Sequence, residues 1–185
     1  MGDFWVFGYG SLIWRPGFVH VETQRARLFG YRRSLCVYSF VHRGTRERPG
    51  LVLGLDRGGS CVGLAFRVPG DLRGEVLAYL REREQVTLVY LERTLDVRLE
   101  NGESVPAVAY VADRRHEQYA GALDEADAAA VVTGAVGQSG PNEEYVLNTI
   151  AHLGALGIRD RWLEGVAQRV APRPEGVGAK ALSSL

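Results

Sequence analysis

The chain has 185 residues, enough for one domain with a substantial core. At 46% hydrophobic and 24% charged it is not a disordered chain. Its 22 basic residues are matched by 22 acidic ones, so no net field draws it to nucleic acid or an anionic membrane. Lys180 is the lone lysine and the other basic residues are arginines, an imbalance that codon bias explains more readily than function, although arginine's planar fork suits carboxylate ligands. No basic stretch followed by an apolar run opens the chain, and no apolar run approaches a membrane span. A soluble cytoplasmic protein is expected, as a single domain over residues 1–185 with a loosely attached tail over 171–185.

Phe4-Trp5-Val6-Phe7 leads into Gly8-Tyr9-Gly10-Ser11, and apolar residues resume at Leu12. This predicts a short buried strand and a glycine loop. Gly8 and Gly10 permit positive φ and close backbone approach. The loop is either a tight turn or a nest of N–H groups that holds an anion. Arg15-Pro16-Gly17 breaks the pattern. A long β-like region follows from about Ala26 to Val41, in which Arg32 and Arg33 must point to opposite faces. The polar loop from His42 to Gly50 carries Arg43, Arg46 and Arg48, either as a solvated run or as a basic rim for an acidic substrate.

Leu51–Leu55 and Cys61–Val68 read as two strands of a hairpin turned at Asp56-Arg57-Gly58-Gly59-Ser60. Asp71 is the expected cap of a helix from about Leu72 to Glu84, with Val76, Leu77 and Leu80 inward. Strands over roughly Thr87–Glu100 and Ser104–Val111 are joined by Asn101-Gly102, the strongest hairpin turn in the chain. A second helix is expected over Asp124–Val136. A third starts at Pro141 or Asn142, with Tyr145, Leu147, Ile150 and Leu153 on its buried side. A fourth, over about Arg159–Val170, is capped near Asp160 and buries Trp162, Leu163 and Val166. Strands first and helices last predict an α+β fold, a mixed or antiparallel sheet curled toward a small barrel with helices around it. Without βαβ alternation, a Rossmann-like site is not expected.

The histidines at 20, 42, 116 and 152 show no ligand spacing with one another or with Cys36 and Cys61, so no metal site is expected. The two cysteines read as buried free thiols, with a disulfide left open. Ser11 on a glycine turn brings a nucleophile elbow to mind, but the G-x-S-x-G frame and a histidine base are missing. Carboxylates are the better candidates. Glu82 and Glu84 cannot share a helix face, so at most one points inward with Leu80. Partial burial would raise its pKa toward a value useful for proton transfer; otherwise it pairs on the surface with Arg81 or Arg83.

Three ordered segments carry a family resemblance: Phe7-Gly8-Tyr9-Gly10-Ser11-Leu12, Tyr79-Leu80-Arg81-Glu82-Arg83-Glu84 and Ser139-Gly140-Pro141-Asn142-Glu143-Glu144-Tyr145. Together they resemble the ChaC-type, glutathione-directed γ-glutamylcyclotransferases. Arg43-Gly44-Thr45 through Pro49-Gly50, with Cys61 to Arg67, is similar to that family's middle strands. The resemblance spans roughly residues 4 to 165. It implies a substrate loop at Tyr9, Gly10, Ser11 and Leu12, a catalytic glutamate at Glu84 and not Glu82, and substrate contacts at Arg43 and Tyr145. It further implies an internal aminolysis of glutathione that releases 5-oxoproline and Cys-Gly and needs no cofactor. Other γ-glutamyl amino acids or amines, or non-catalytic binding of such a compound, are the alternatives. One departure stands out. Where many relatives have G-G-Y or G-x-Y after the glutamate, this chain has Gln85-Val86-Thr87-Leu88-Val89-Tyr90.

Overall fold

A computed structural model describes residues 2–84 and 88–171, the side chain of Glu84 excepted. The expected tail therefore falls, from residue 172 onward, outside the described residues.

Five strands close into a barrel. They are β1 (Phe4–Gly8), β2 (Glu22–Ser39), β3 (Gly50–Val68), β4 (Tyr90–Leu99) and β5 (Ser104–Ala112). The order around the barrel is β1-β3-β2-β4-β5. Neighbours pair antiparallel except where β5 returns parallel to β1 at Trp5↔Ala107 and Val6↔Val108, and touches β3 at Leu55↔Val111. The expected α+β class and curled mixed sheet are what the chain forms.

The largest departure from the sequence expectation is β3. Instead of a hairpin, residues 50–68 run as one strand along nearly the whole of β2. Gly58 and Gly59 do adopt positive φ, 102° and 68°, but Gly30 across the ladder adopts 82° and the register shifts between Phe29 and Tyr31. The turn-like chemistry thus makes a paired irregularity that bends a two-stranded ribbon rather than reversing it. A bend is what a strand of 19 residues needs to serve two sides of a small barrel.

Among the described residues, four α-helices cover the barrel. Asp71 lies inside a 3-10 turn, Gly70–Leu72, that runs into α1 (Arg73–Glu84), so it is not the simple cap expected. Val76 and Leu80, 3% and 0% exposed, dock α1 on Phe4, Val6, Val68 and Val108. Each such burial contributes about 1.5–3 kcal/mol. α2 (Glu125–Val132) is capped by Asp124, whose side chain accepts from the Asp127 N–H, and ends short of the expected Val136 because Gly134 turns the chain at φ 72°. A two-residue ladder, Val136–Gly137 with Gly140–Pro141, leads to α3 (Asn142–Ala155). Asn142, Val146, Thr149 and Leu153 form the buried stripe of α3, so its inward face is rotated from the expected one and Tyr145, Leu147 and Ile150 sit at the margins. α4 (Arg161–Val170) is capped by Asp160 and buries Leu163 and Val166, with Trp162 partly covered. The Asn101-Gly102 hairpin forms as expected, Gly102 at φ 89°. No helix among the described residues is long and apolar enough to cross a membrane.

Candidate active site

The glycine loop leaves the barrel where β1 ends. A side chain at Gly8 would press on Leu12 Cβ at 3.1 Å and on Phe66 at 3.2 Å, so close approach is what this glycine provides. Neither Gly8 nor Gly10 uses the positive φ that glycine permits. A 3-10 turn, Ser11–Ile13, follows and stacks its flanking Trp14 on His152 of α3 at 4.4 Å. Such a short turn leaves its leading N–H groups without intrahelical acceptors.

Two arginines fasten the loop. Arg33 is buried at 4% exposure and donates to the Tyr9 carbonyl at 2.6 Å, the Val62 carbonyl at 2.7 Å and the Asp160 carboxylate at 2.9 Å. The same Asp160 accepts from Leu163 N–H at the start of α4. Arg32, on the opposite face, joins Arg114 and Tyr119 around Asp56, as the alternation of strand faces requires. Arg83 of α1 donates to Ser11 Oγ at 2.9 Å, to the Arg15 carbonyl at 2.6 Å and to Tyr79 Oη at 2.8 Å. Ser11 is thereby held as a hydrogen-bonding loop residue, and among the described residues no histidine bonds to it.

A cavity of about 270 Å³ opens over this loop. Its lining includes Tyr9, Gly10, Ser11 and Leu12, and also Arg43 and Tyr145, so every substrate-contact residue expected from the sequence borders one space. Tyr90 of β4 and Tyr110 of β5 complete the aromatic wall, and His42 and Ser139 the polar rim. Periodicity alone could not single out these last four, although Tyr90 was visible as the tyrosine after the absent glycines. Arg43 donates to the carbonyls of Ser139 and Pro141 at 2.6 and 3.2 Å and lies over the Tyr145 ring at 5.4 Å. The loop arginines thus part company. Arg48 closes the end of α2 by donating to the Thr133 and Gly134 carbonyls, and Arg46 rests on Phe40.

The cavity sits where the sheet lacks a strand. Along β3, residues 64–68 pair with β1 and Leu55 meets β5; β2 flanks Leu51 and Leu53 on one side, but among the described residues no strand pairs with them on the other. Side chains take the ladder's place. Asn142, fully buried, donates to the Leu51 carbonyl at 2.8 Å and accepts from its N–H at 2.7 Å. Tyr145 Oη accepts from the Leu53 N–H at 3.1 Å, and Tyr90 Oη donates to its carbonyl at 2.7 Å. Buried backbone groups are thereby satisfied while the space above them stays open.

Helix α1 brings its last residue to this region. Position 84 lies one turn beyond Leu80 and two beyond Val76, the buried residues of α1, whereas Glu82 is exposed. The side chain of Glu84 lies outside the described residues. The helix end is tied on both sides, by Arg83 to the glycine loop and by Arg81, which grips Glu92 with two hydrogen bonds of 2.8 Å. Arg81 thus has a partner other than Glu84. Hydrogen bonding from Arg81 holds the Glu92 carboxyl below its usual range against the upward push of partial burial, and Tyr110 Oη adds a further bond at 2.9 Å.

The thiols take no part. Both are free; burial, reinforced by Asp56, pushes Cys36 up to about 12, and burial pushes Cys61 up to about 11 despite the nearby Arg33. Neither is a thiolate at neutral pH. Among the described residues, no three His, Cys, Asp or Glu side chains gather to hold a metal ion.

Residues 4–173 match the family model described as ChaC-like protein. The glutathione-specific γ-glutamylcyclotransferase of Escherichia coli is 33% identical over 159 residues, covering 86% of this chain and 69% of that protein. γ-Glutamylcyclotransferase 2-3 of Arabidopsis thaliana is 34% identical over 177 residues, covering 90% of this chain and 87% of that one. The crystal structure of a yeast γ-glutamyl cyclotransferase specific to glutathione superposes with a TM-score of 0.81 at 22% identity, over 92% of this chain and 96% of the yeast chain, and so shares the fold. With the glycine loop and the Ser139–Tyr145 segment lining one cavity and the family model matching over most of its length, the chain belongs to the ChaC-like family.

Proposed function

We propose that the protein is a γ-glutamylcyclotransferase that acts on glutathione, with Glu84 as its acid–base group. The observation that carries the reading is the convergence of Tyr9–Leu12, Arg43 and Tyr145 on one cavity beside the fastened end of α1. The names of the relatives supply the substrate class.

The reaction closes a ring within the substrate. The α-ammonium loses a proton to the Glu84 carboxylate. The free amine then attacks the γ-carbonyl carbon, and a tetrahedral oxyanion forms. As the carbonyl re-forms, the bond to the cysteinyl nitrogen breaks and that nitrogen takes the proton from Glu84; the ring nitrogen then gives its second proton to the freed carboxylate, which passes it on, so that Cys-Gly leaves with a charged amine. The products are 5-oxoproline and Cys-Gly, with no water or redox partner consumed.

Because the nucleophile is tethered to its electrophile, the protein's main contribution is to hold the γ-glutamyl arm folded. The tyrosine wall and the narrow cavity serve that purpose. The N–H groups of Gly10, Ser11 and Leu12 receive a negatively charged substrate oxygen, which a loop held rigid by Arg33 and Arg83 can do without reorganising. Arg43 and Tyr145 contact the substrate from the opposite rim.

Release of 5-oxoproline from glutathione and from γ-Glu-Ala tests the reading, with Glu84→Gln alongside. Turnover of glutathione is expected, reduced in the variant by about 10²–10⁴-fold, the usual contribution of a positioned acid–base group. An unimpaired variant overturns the assignment of Glu84. Turnover of γ-Glu-Ala with none of glutathione overturns the substrate.

A further inference from the structure

Beside the cavity lies a groove of about 450 Å³ that shares His42, Val52 and Tyr90 with it. Its apolar lining includes Val37 and Val89, both buried, and Val41, a surface valine with 47% of its area exposed. One side is a stack. Tyr38 lies 6.2 Å from Phe40 at an interplanar angle of 13°, and the Arg46 guanidinium sits 5.2 Å above the Phe40 ring.

Arg46 differs from the other arginines of this region. Arg43 is engaged by the carbonyls of Ser139 and Pro141, and Arg83 by the loop carbonyls, Ser11 and Tyr79. Arg46 is exposed, and among the described residues no carboxylate lies within ion-pair distance of it, Glu117 on the rim of the groove included. Its face is held by an aromatic ring, which orients the guanidinium while leaving its N–H fork open to a bidentate anion.

We infer that this groove is the subsite for the leaving half of the substrate, with Arg46 pairing with the glycine carboxylate of the departing Cys-Gly. The inference rests on the cyclotransferase reading and deepens it. With the γ-glutamyl arm in the cavity, the groove is the adjoining space that can receive the group beyond the cysteinyl nitrogen, since the two share His42, Val52 and Tyr90 as a common wall. The chemistry along the groove matches the groups beyond that nitrogen: valines for a small thiol-bearing side chain, then a cation for a terminal carboxylate.

The test measures kcat/KM for glutathione and for glutathione esterified with ethanol at its glycine carboxylate. Wild type, Arg46→Ala and Arg46→Lys are compared. Arg46 is on the surface, so its replacement removes no buried contact. The wild type is expected to prefer glutathione over the ester by about tenfold, the worth of one partly exposed charge-assisted pair. Arg46→Ala brings that ratio toward one, and Arg46→Lys keeps part of it. A wild type without preference, or an Arg46→Ala ratio equal to the wild-type ratio, overturns the inference and leaves the cyclotransferase reading standing. A wild type inert toward both compounds removes that reading, and the inference with it.

Discussion

The two halves of β3 are built alike and finished differently. Residues 64–67 have a strand on each side, β2 and β1. Residues 51 and 53 have β2 on one side only, and on the other an asparagine and two tyrosines stand in for a strand. The first arrangement makes a wall. The second makes a wall with a recess above it, because a side chain can satisfy a backbone group from the edge of a space where a strand would fill it. The cavity exists because β1 stops at Gly8 and nothing of its own kind continues the ladder.

Asn142→Ala breaks this contrast most directly. It leaves the N–H and the carbonyl of Leu51 buried without partners, at an expected cost of about 2–4 kcal/mol in a denaturant melt. Amide hydrogen exchange should speed up at Leu51 and Leu53 while the Val6–Phe66 ladder stays protected. Equal acceleration in both halves would mean that Asn142 does not act locally.

The joint between the halves is sensitive to acid. Asp56 lies just before the Gly58–Gly59 bend and is fully covered, with Arg32, Arg114 and Tyr119 around it. Burial pushes its carboxyl up, but the bonds from Arg114 and Tyr119 outweigh that and leave it below its ordinary value of 3.8. As pH falls, the unfolded chain therefore takes up this proton first. The stabilisation is complete above the ordinary value and is lost as pH falls through the folded one. The melting temperature should drop below about pH 4. In Asp56→Asn, lower throughout, this part of the acid slope should vanish; an unchanged slope would assign it to other carboxylates.

Leu88 offers the smallest and most selective change. It stands two residues before Tyr90 and takes a φ of 58° with 68% of its surface exposed. Leu88→Gly relieves a left-handed backbone just before the strand that carries Tyr90 to Leu53, and should raise stability by about 0.5–1 kcal/mol. A loss of stability would show that the leucine side chain has a packing role there.

The range of the forces involved decides how much the sequence could disclose. Asn101-Gly102 closes its hairpin and Asp124 and Asp160 cap their helices, because each is settled within three or four residues. The glycine loop and the Ser139–Tyr145 segment were legible as patterns for the same reason. Gly58-Gly59 misled, since positive φ serves a turn and a bend equally, and only pairing with β2 along its whole length decides between them. The tertiary structure alone buried Arg33 beneath the loop, rotated α3 so that Asn142 and Tyr145 face β3, and brought Tyr90 and Tyr110 to the cavity from separate strands. Closure of the barrel fixes all of these together, because it sets which backbone groups find a strand and which must find a side chain.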